Sequence, residues 1–439
     1  MNKYKILITI LIILATANLL SAYSVSNYVN GDQVNSLDAR TAAMGDASTA
    51  KSTNLFSTTN NPANLSNLKG RFGFQLVNGF LRNAQQRSLP MYDSFDGFVG
   101  DAEYVQNENI FSEFGLGAYI NLPLDKINFT LATQYKPYMN FDGKYEEEVR
   151  NNSNSDFNSY PPIIATNIID SDGSINAISF LSSIKYKNYS LGFEVAKLTG
   201  EQDYTNKIVW SDYATNAASI EGATLASYDF SFSRDFDGYY YQVGFQAELN
   251  RHTSLGLNFK PEFDIDYEIA DNDTSFTKPA SLRLGLFHSP RSFINSAINI
   301  DVEYVQWNSV NDIYDDQLNY YIGVEHKITN KLPFRMGFNY KTEYNLTEED
   351  NIPVAEKITI PTFSAGTGIE ILENLDLDLS ISYSNRIYEA LDLFQDTLYD
   401  YEFLWNNYNY MNFEYRGWEN PDKVTETNFK IQTTLSYKF

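Results

Sequence analysis

The segment Thr427–Phe439 restricts the fold more than any other stretch of the chain. Apolar side chains stand at Phe429, Ile431, Leu435, Tyr437 and Phe439, and polar ones at Asn428, Lys430, Gln432, Thr434, Ser436 and Lys438. Successive side chains of a strand point to opposite faces, so this segment has one apolar face and one polar face. Leu375, Leu377, Leu379, Ile381 and Tyr383 alternate in the same way with Asp376, Asp378, Ser380, Ser382 and Ser384. So do Ile298, Ile300, Val302 and Tyr304 with Asn299, Asp301 and Glu303. A charge on the lipid face near the midplane of a membrane costs roughly 2–4 kcal/mol. In a membrane wall the apolar set must therefore face lipid, and the carboxylates a polar lumen.

Composition supports a wall of this kind. Aromatic residues make up 15% of the 439 residues, with 33 Tyr and 30 Phe. Mean hydropathy is nevertheless −0.37. Only alternate residues of a barrel strand face lipid, so the average stays polar while aromatics supply interfacial girdles. Lys3 and Lys5, an apolar run from Ile6 to Leu14 and the small-residue site Leu20-Ser21-Ala22 predict a cleaved signal peptide over 1–22. That run is short for a membrane helix, which needs roughly 20 apolar residues. With no cysteine, disulfides, thiolate metal sites and a lipid-modified cysteine are excluded. The formal net charge of −24 argues against nucleic acid as a partner.

From about Arg71 onward alternating segments recur, about fourteen in all, an even number as bacterial barrels require. Their connections alternate between long and short. The long ones are read at Asn83–Ser112, Met139–Ile175, Gly200–Ser227, Ile269–Lys278, Asn308–Asn319, Asn345–Ile360 and Tyr388–Glu426. The expected fold is all-β: an antiparallel transmembrane barrel over 71–439, with short periplasmic turns and longer external loops. Residues 23–70 lack alternation. Asp38 stands near the start of a short helix that Gly45 would end, and Pro62 biases Asn61 away from helix. Small polar residues suit either a periplasmic leader or a plug folded into the lumen.

The run Ala39-Arg40, Met44-Gly45-Asp46-Ala47 and Asn61-Pro62-Ala63-Asn64-Leu65 resembles the N-terminal region of the FadL family, outer-membrane transporters of long-chain fatty acids and other hydrophobic compounds. Lys278–Gly285, Asp301–Trp307, Leu332–Gly337 and Ile360–Gly366 look alike in family order. The closing strand on Phe439 is similar to the signal read by the barrel assembly machinery. The resemblance implies a fourteen-stranded barrel stoppered by an N-terminal hatch, with Asp38, Arg40, Met44, Gly45, Asn61, Pro62 and Ala63 as hatch and gating residues. It also implies sideways release through a kink in the third strand, here Ile127–Tyr138, which carries Tyr135 and Pro137. Pro137 cannot donate a ladder hydrogen bond, so it either disturbs pairing or ends the strand near the surface. The fourth loop departs from the family pattern in being short and acidic. The seventh is rich in aromatics, and Trp405, Tyr408 and Trp418 are candidates for ligand capture.

Other chemistry is weaker. His252, His288 and His326 fall near separate turns, so no nucleophile–His–acid site is expected, nor a cofactor or a metal centre. Acidic stretches such as Asp170-Ser171-Asp172 lack an EF-hand pattern and fit solvated loops, or ions bridging lipopolysaccharide. The sequence reading is thus a bacterial outer-membrane channel, not an enzyme, that passes small hydrophobic molecules by diffusion. A protein-secretion or surface-assembly partner and a general porin are the alternatives.

Overall fold

Alternation along each strand becomes an inside and an outside once the strands close on one another. The computed structural model describes residues 31–95, 97–152, 160–269, 272–291, 295–329, 332–349, 352–390, 392–406 and 422–439. The expected signal peptide lies outside these residues. The wall is a closed barrel of 14 antiparallel strands. They are β1 (Phe72–Tyr92), β2 (Phe98–Leu124), β3 (Ile127–Asn140, resuming at Gly143–Arg150), β4 (Ile163–Tyr186) and β5 (Tyr189–Trp210). Next come β6 (Asp229–Asn250), β7 (Thr253–Lys260 and Phe263–Ile269), β8 (Asn272–Lys278 and Ser281–His288) and β9 (Asn295–Val305). The remainder are β10 (Gln317–Thr329), β11 (Leu332–Glu349), β12 (Ile352–Leu372), β13 (Leu375–Ala390) and β14 (Asp422–Lys438).

β14 closes on β1 in a ladder from Lys423↔Ser88 to Lys438↔Gly73. Closure leaves no edge strand, the condition for spanning a medium that offers no hydrogen bonds. Facing follows the alternation. Ile381 and Tyr383 are exposed on the outer surface, whereas Asp378 and Ser380 are buried inside. On β5, Leu191, Phe193 and Val195 face out, and Glu194 is fully buried in the lumen.

Three of the expected long loops are in fact paired hairpins. Asn83–Ser112 continues β1 and β2 in a ladder to Tyr92↔Phe98. Asn345–Ile360 is the paired tip of β11 and β12, and Ile269–Lys278 that of β7 and β8. The cause is physical: above the membrane both faces of a strand are wet, so the apolar alternation that marks a strand fades while its backbone ladder continues. The 212–221 stretch of the third loop is a helix, α1 (Asp212–Glu221), capped by Ser211 at its start and by Gly222 in the left-handed region at its end.

Candidate functional site

Inside the barrel, near its short-turn end, lie residues 31–70. They form a two-residue strand Asp32–Gln33, a helical turn Ala39–Ala43 and two 3-10 turns, Leu55–Thr59 and Pro62–Asn67. Asp38 caps the first turn by accepting from Thr41 N at 2.8 Å and from Asn54 Nδ2 at 2.8 Å. Asn61 caps the last, its Oδ1 accepting from Ala63 N at 2.9 Å. Its Nδ2 donates to Thr49 O at 2.7 Å and to Phe245 O of the wall at 3.1 Å. Arg40 pairs with Glu325 of β10 at 2.9 Å. Gly45 adopts φ +60°, a left-handed conformation that favours glycine.

The wall is shaped to this segment. Glycines sit directly opposite each other across neighbouring strands: Gly192↔Gly244, Gly256↔Gly285 and Gly323↔Gly337. Each pair receives a stretch of segment backbone. A Cβ on Gly192 would lie 2.3 Å from Ala63 N, one on Gly256 2.1 Å from Thr49 O, and one on Gly337 1.9 Å from Gly45 N. Such approaches exclude any other residue, which is why glycine interrupts these strands. Beside them, Asp301 Oδ2 accepts from Ser48 N, Thr49 N and Thr49 Oγ1 at 2.8–3.0 Å. Arg283, paired with Asp301 at 3.0 Å, donates to Asp46 O at 2.6 Å. Ala39 N donates to Thr434 Oγ1 of β14 at 2.8 Å. Leu55, Ala63 and Leu65 are fully buried.

Burial holds the Asp38 carboxyl above the usual carboxylate range, opposed by its hydrogen bonds to Thr41 and Asn54. The folded state thus binds a proton more tightly than the unfolded chain, and this contribution to stability falls as pH rises above the ordinary carboxylate value. Asp38→Asn, neutral and also a good cap, is expected to keep the turn and flatten that pH dependence. Asp38→Ala should cost about 1 kcal/mol. Protease protection of the segment against pH measures both.

The third strand breaks the wall. β2 and β3 pair only from Leu124↔Ile127 to Leu116↔Tyr135. Beyond Tyr135, β3 keeps its ladder to β4, with a register shift between Pro137 and Met139. β2 carries on with β1 alone until Asn109 Nδ2 reaches Lys144 O at 3.0 Å. The result is a window flanked by Glu113 and Phe114 on one side and Pro137 on the other, containing a cavity of about 250 Å³. Pro137 therefore lies within the strand, beside the window. Ile110, Leu116, Tyr135 and Ile178 are exposed around it, so it opens at the level of the lipid-facing surface. From the lumen side the window is backed by Asp32 and Gln33, which pair with Asn140 and Met139, and by Val34, whose N–H donates to Tyr138 O at 2.9 Å.

Next to the window the lumen is apolar and aromatic. Tyr138, Met139 and Phe141 pack with Leu198, Phe236, Tyr240 and Ile265. Phe141 stacks on Phe236 at 4.9 Å. Lys260 Nζ lies 5.0 Å from the Tyr240 ring and Lys278 Nζ 5.2 Å from the Phe276 ring. Below this cluster, Gln134 and Lys136 of β3 hold the turn Leu55–Thr59: Gln134 Nε2 donates to Leu55 O at 2.9 Å, and Lys136 Nζ to Thr59 Oγ1 at 3.1 Å. At the long-loop end, a second cluster joins Tyr145, Ile164 and Ala214 to Phe394, Tyr399 and Leu404 of the seventh loop.

No protein-family model matches the chain, and neither does any curated protein. Solved structures do. A FadL homologue of Pseudomonas aeruginosa aligns with a TM-score of 0.57 and 13% identity over 93% of this chain and 100% of that one. The toluene transporter TodX of P. putida aligns at 0.54 and 15%, over 92% and 98%. The toluene transporter TbuX of Ralstonia pickettii aligns at 0.51 and 13%, over 92% and 98%. The chain folds as a FadL-type barrel.

Within this FadL-type barrel, Arg40, Met44, Gly45, Asn61, Pro62 and Ala63 are brought to the interface with the wall, Asp38 bonds within the segment to Thr41 and Asn54, and Tyr135 and Pro137 stand at the window. Trp405 is half-buried in the seventh loop, where its Nε1 donates to Tyr399 O at 2.9 Å, so its ring packs within the loop cluster. Tyr408 and Trp418 lie outside the described residues. Sequence reasoning missed the paired glycines, Arg283 as a segment contact, and the Gln134–Lys136 hold. Glycine inside a strand pattern is the signal that would have found the first of these.

Proposed function

We propose that the chain is an outer-membrane channel carrying small hydrophobic molecules by diffusion, with residues 23–70 acting as a hatch and the β3 window as a sideways exit. The observation that carries this reading is the juxtaposition of a lumenal aromatic cluster, a seated segment and a window at lipid level. An apolar solute leaving through the window would pass from protein to lipid without crossing water. The solved neighbours named as toluene transporters support an apolar cargo. Flux by diffusion follows the concentration gradient. Lipopolysaccharide around the wall and the barrel assembly machinery, through Phe439, are the proposed partners beside the ligand.

Replacing Asn61 and Pro62 together by Ala removes the cap and the pre-set turn that seat the segment on Gly192 and Gly244. Uptake of a hydrophobic probe into cells is expected to fall several-fold, with barrel assembly, read from heat-dependent gel migration, unchanged. Normal uptake in that variant would refute the hatch assignment.

A further inference from the structure

The leg from Asp32 to Leu37 crosses the lumen between β3 and β14. At one end it is paired to Met139 and Asn140. At the other, Gln432 Nε2 of β14 donates to Ser36 O and Leu37 O. Val34 lines the window cavity, while Asn35 and Ser36 line a separate polar cavity of about 130 Å³ in the lumen. The leg is thus the partition between lumen and window. Ser36 sits in it at φ +44°, an unfavourable conformation for a residue with a side chain.

One ion pair fastens this partition to the free edge of the window. Glu113 of β2 lies beyond the last β2–β3 pair and points into the lumen. Its Oε2 meets Lys430 Nζ of β14 at 2.6 Å, with both side chains nearly buried. Lys430 Nζ also donates to Asn35 O at 3.3 Å. Lys430 lines the lumen cavity and Glu113 the window cavity, so the pair bridges the two spaces. We propose that Glu113 and Lys430 form a latch: positioning residues that hold the Asn35 leg across the window and set how readily lumen and window join. The latch deepens the transport reading and rests on it for its purpose, but its existence is testable without transport.

The variant Val34→Cys in the full-length protein reports the partition directly, because Val34 is 8% exposed. Its labelling by a water-soluble maleimide is expected to be slow. Adding Glu113→Gln or Lys430→Met should speed labelling by about tenfold, the effect of ~1.4 kcal/mol on an opening equilibrium. Lys430→Arg keeps both contacts and should label slowly again, and Glu113→Asp covers the case of a variant that fails to assemble. Equal labelling in all variants would overturn the latch, as would fast labelling in Lys430→Arg. Uptake of a hydrophobic probe in the same set separates the two ideas. Faster labelling together with faster uptake supports both, whereas faster labelling with no uptake in any variant leaves the latch standing and overturns the transport reading.

Discussion

Gly337→Val is expected to raise the resting ionic conductance of the reconstituted barrel by more than about tenfold. Overpacking a core that can adjust costs typically 1–3 kcal/mol. Here the added carbons meet main chain instead of a yielding side chain: the first would lie 1.9 Å from Gly45 N and 2.3 Å from the Met44 carbonyl carbon. Gly323 across the ladder supports the same stretch, so β11 cannot withdraw without losing its partner. The least costly response is for the segment to leave its seat, which unblocks the lumen. The barrel itself should survive, because its strands pair with one another and not through the segment. Gly100→Val is the control, since nothing lies within 4 Å of a Cβ there. Planar-bilayer recordings decide the matter. Quiet traces from an assembled Gly337→Val protein would show that the seat tolerates bulk.

Phe236→Ala is expected to weaken binding of an apolar fluorescent probe by about tenfold, a loss of ~1.4 kcal/mol. Phe236 is the hub of the aromatic cluster, stacked on Phe141 at 4.9 Å and close to Tyr267 at 5.9 Å and Phe276 at 6.3 Å. Aromatic pairs of this kind contribute about 0.5–1.5 kcal/mol beyond buried area. Its truncation removes apolar surface beside the window and is expected to leave the segment seat intact, because Gly244 stands farther along the same strand, toward the short-turn end. Probe titration of purified wild-type and variant protein reads the difference. Phe230→Ala, on the same strand but exposed, should leave affinity unchanged. Equal affinity in all three proteins would place the ligand elsewhere.

The spanning half of the wall was legible because lipid imposes a strict rule on alternate residues. Ile381 and Asp378 could be assigned to opposite faces from their spacing alone. The upper hairpins were not legible: with water on both sides, nothing in Asn83–Ser112 distinguishes a wet strand from a wet loop. The segment residues were visible as a motif, but their function as a fitted surface was not, since seats such as Gly192 and Gly244 come from strands distant in sequence from Pro62. Several stretches quoted for their family likeness supply that surface: Arg283 and Gly285, Asp301, Gly337 and Gly366 all border the segment. In the aromatic seventh loop, composition marks Trp405 as adhesive without saying that its Nε1 already donates to Tyr399 O.

β14 has two tasks at once. It zips to β1, and it supplies Thr434 to Ala39 and Gln432 to Ser36 and Leu37. A barrel whose seam is still open therefore lacks part of the stopper's mooring. If the segment is the proposed hatch, its full mooring and the closure of the wall arrive in the same step of insertion.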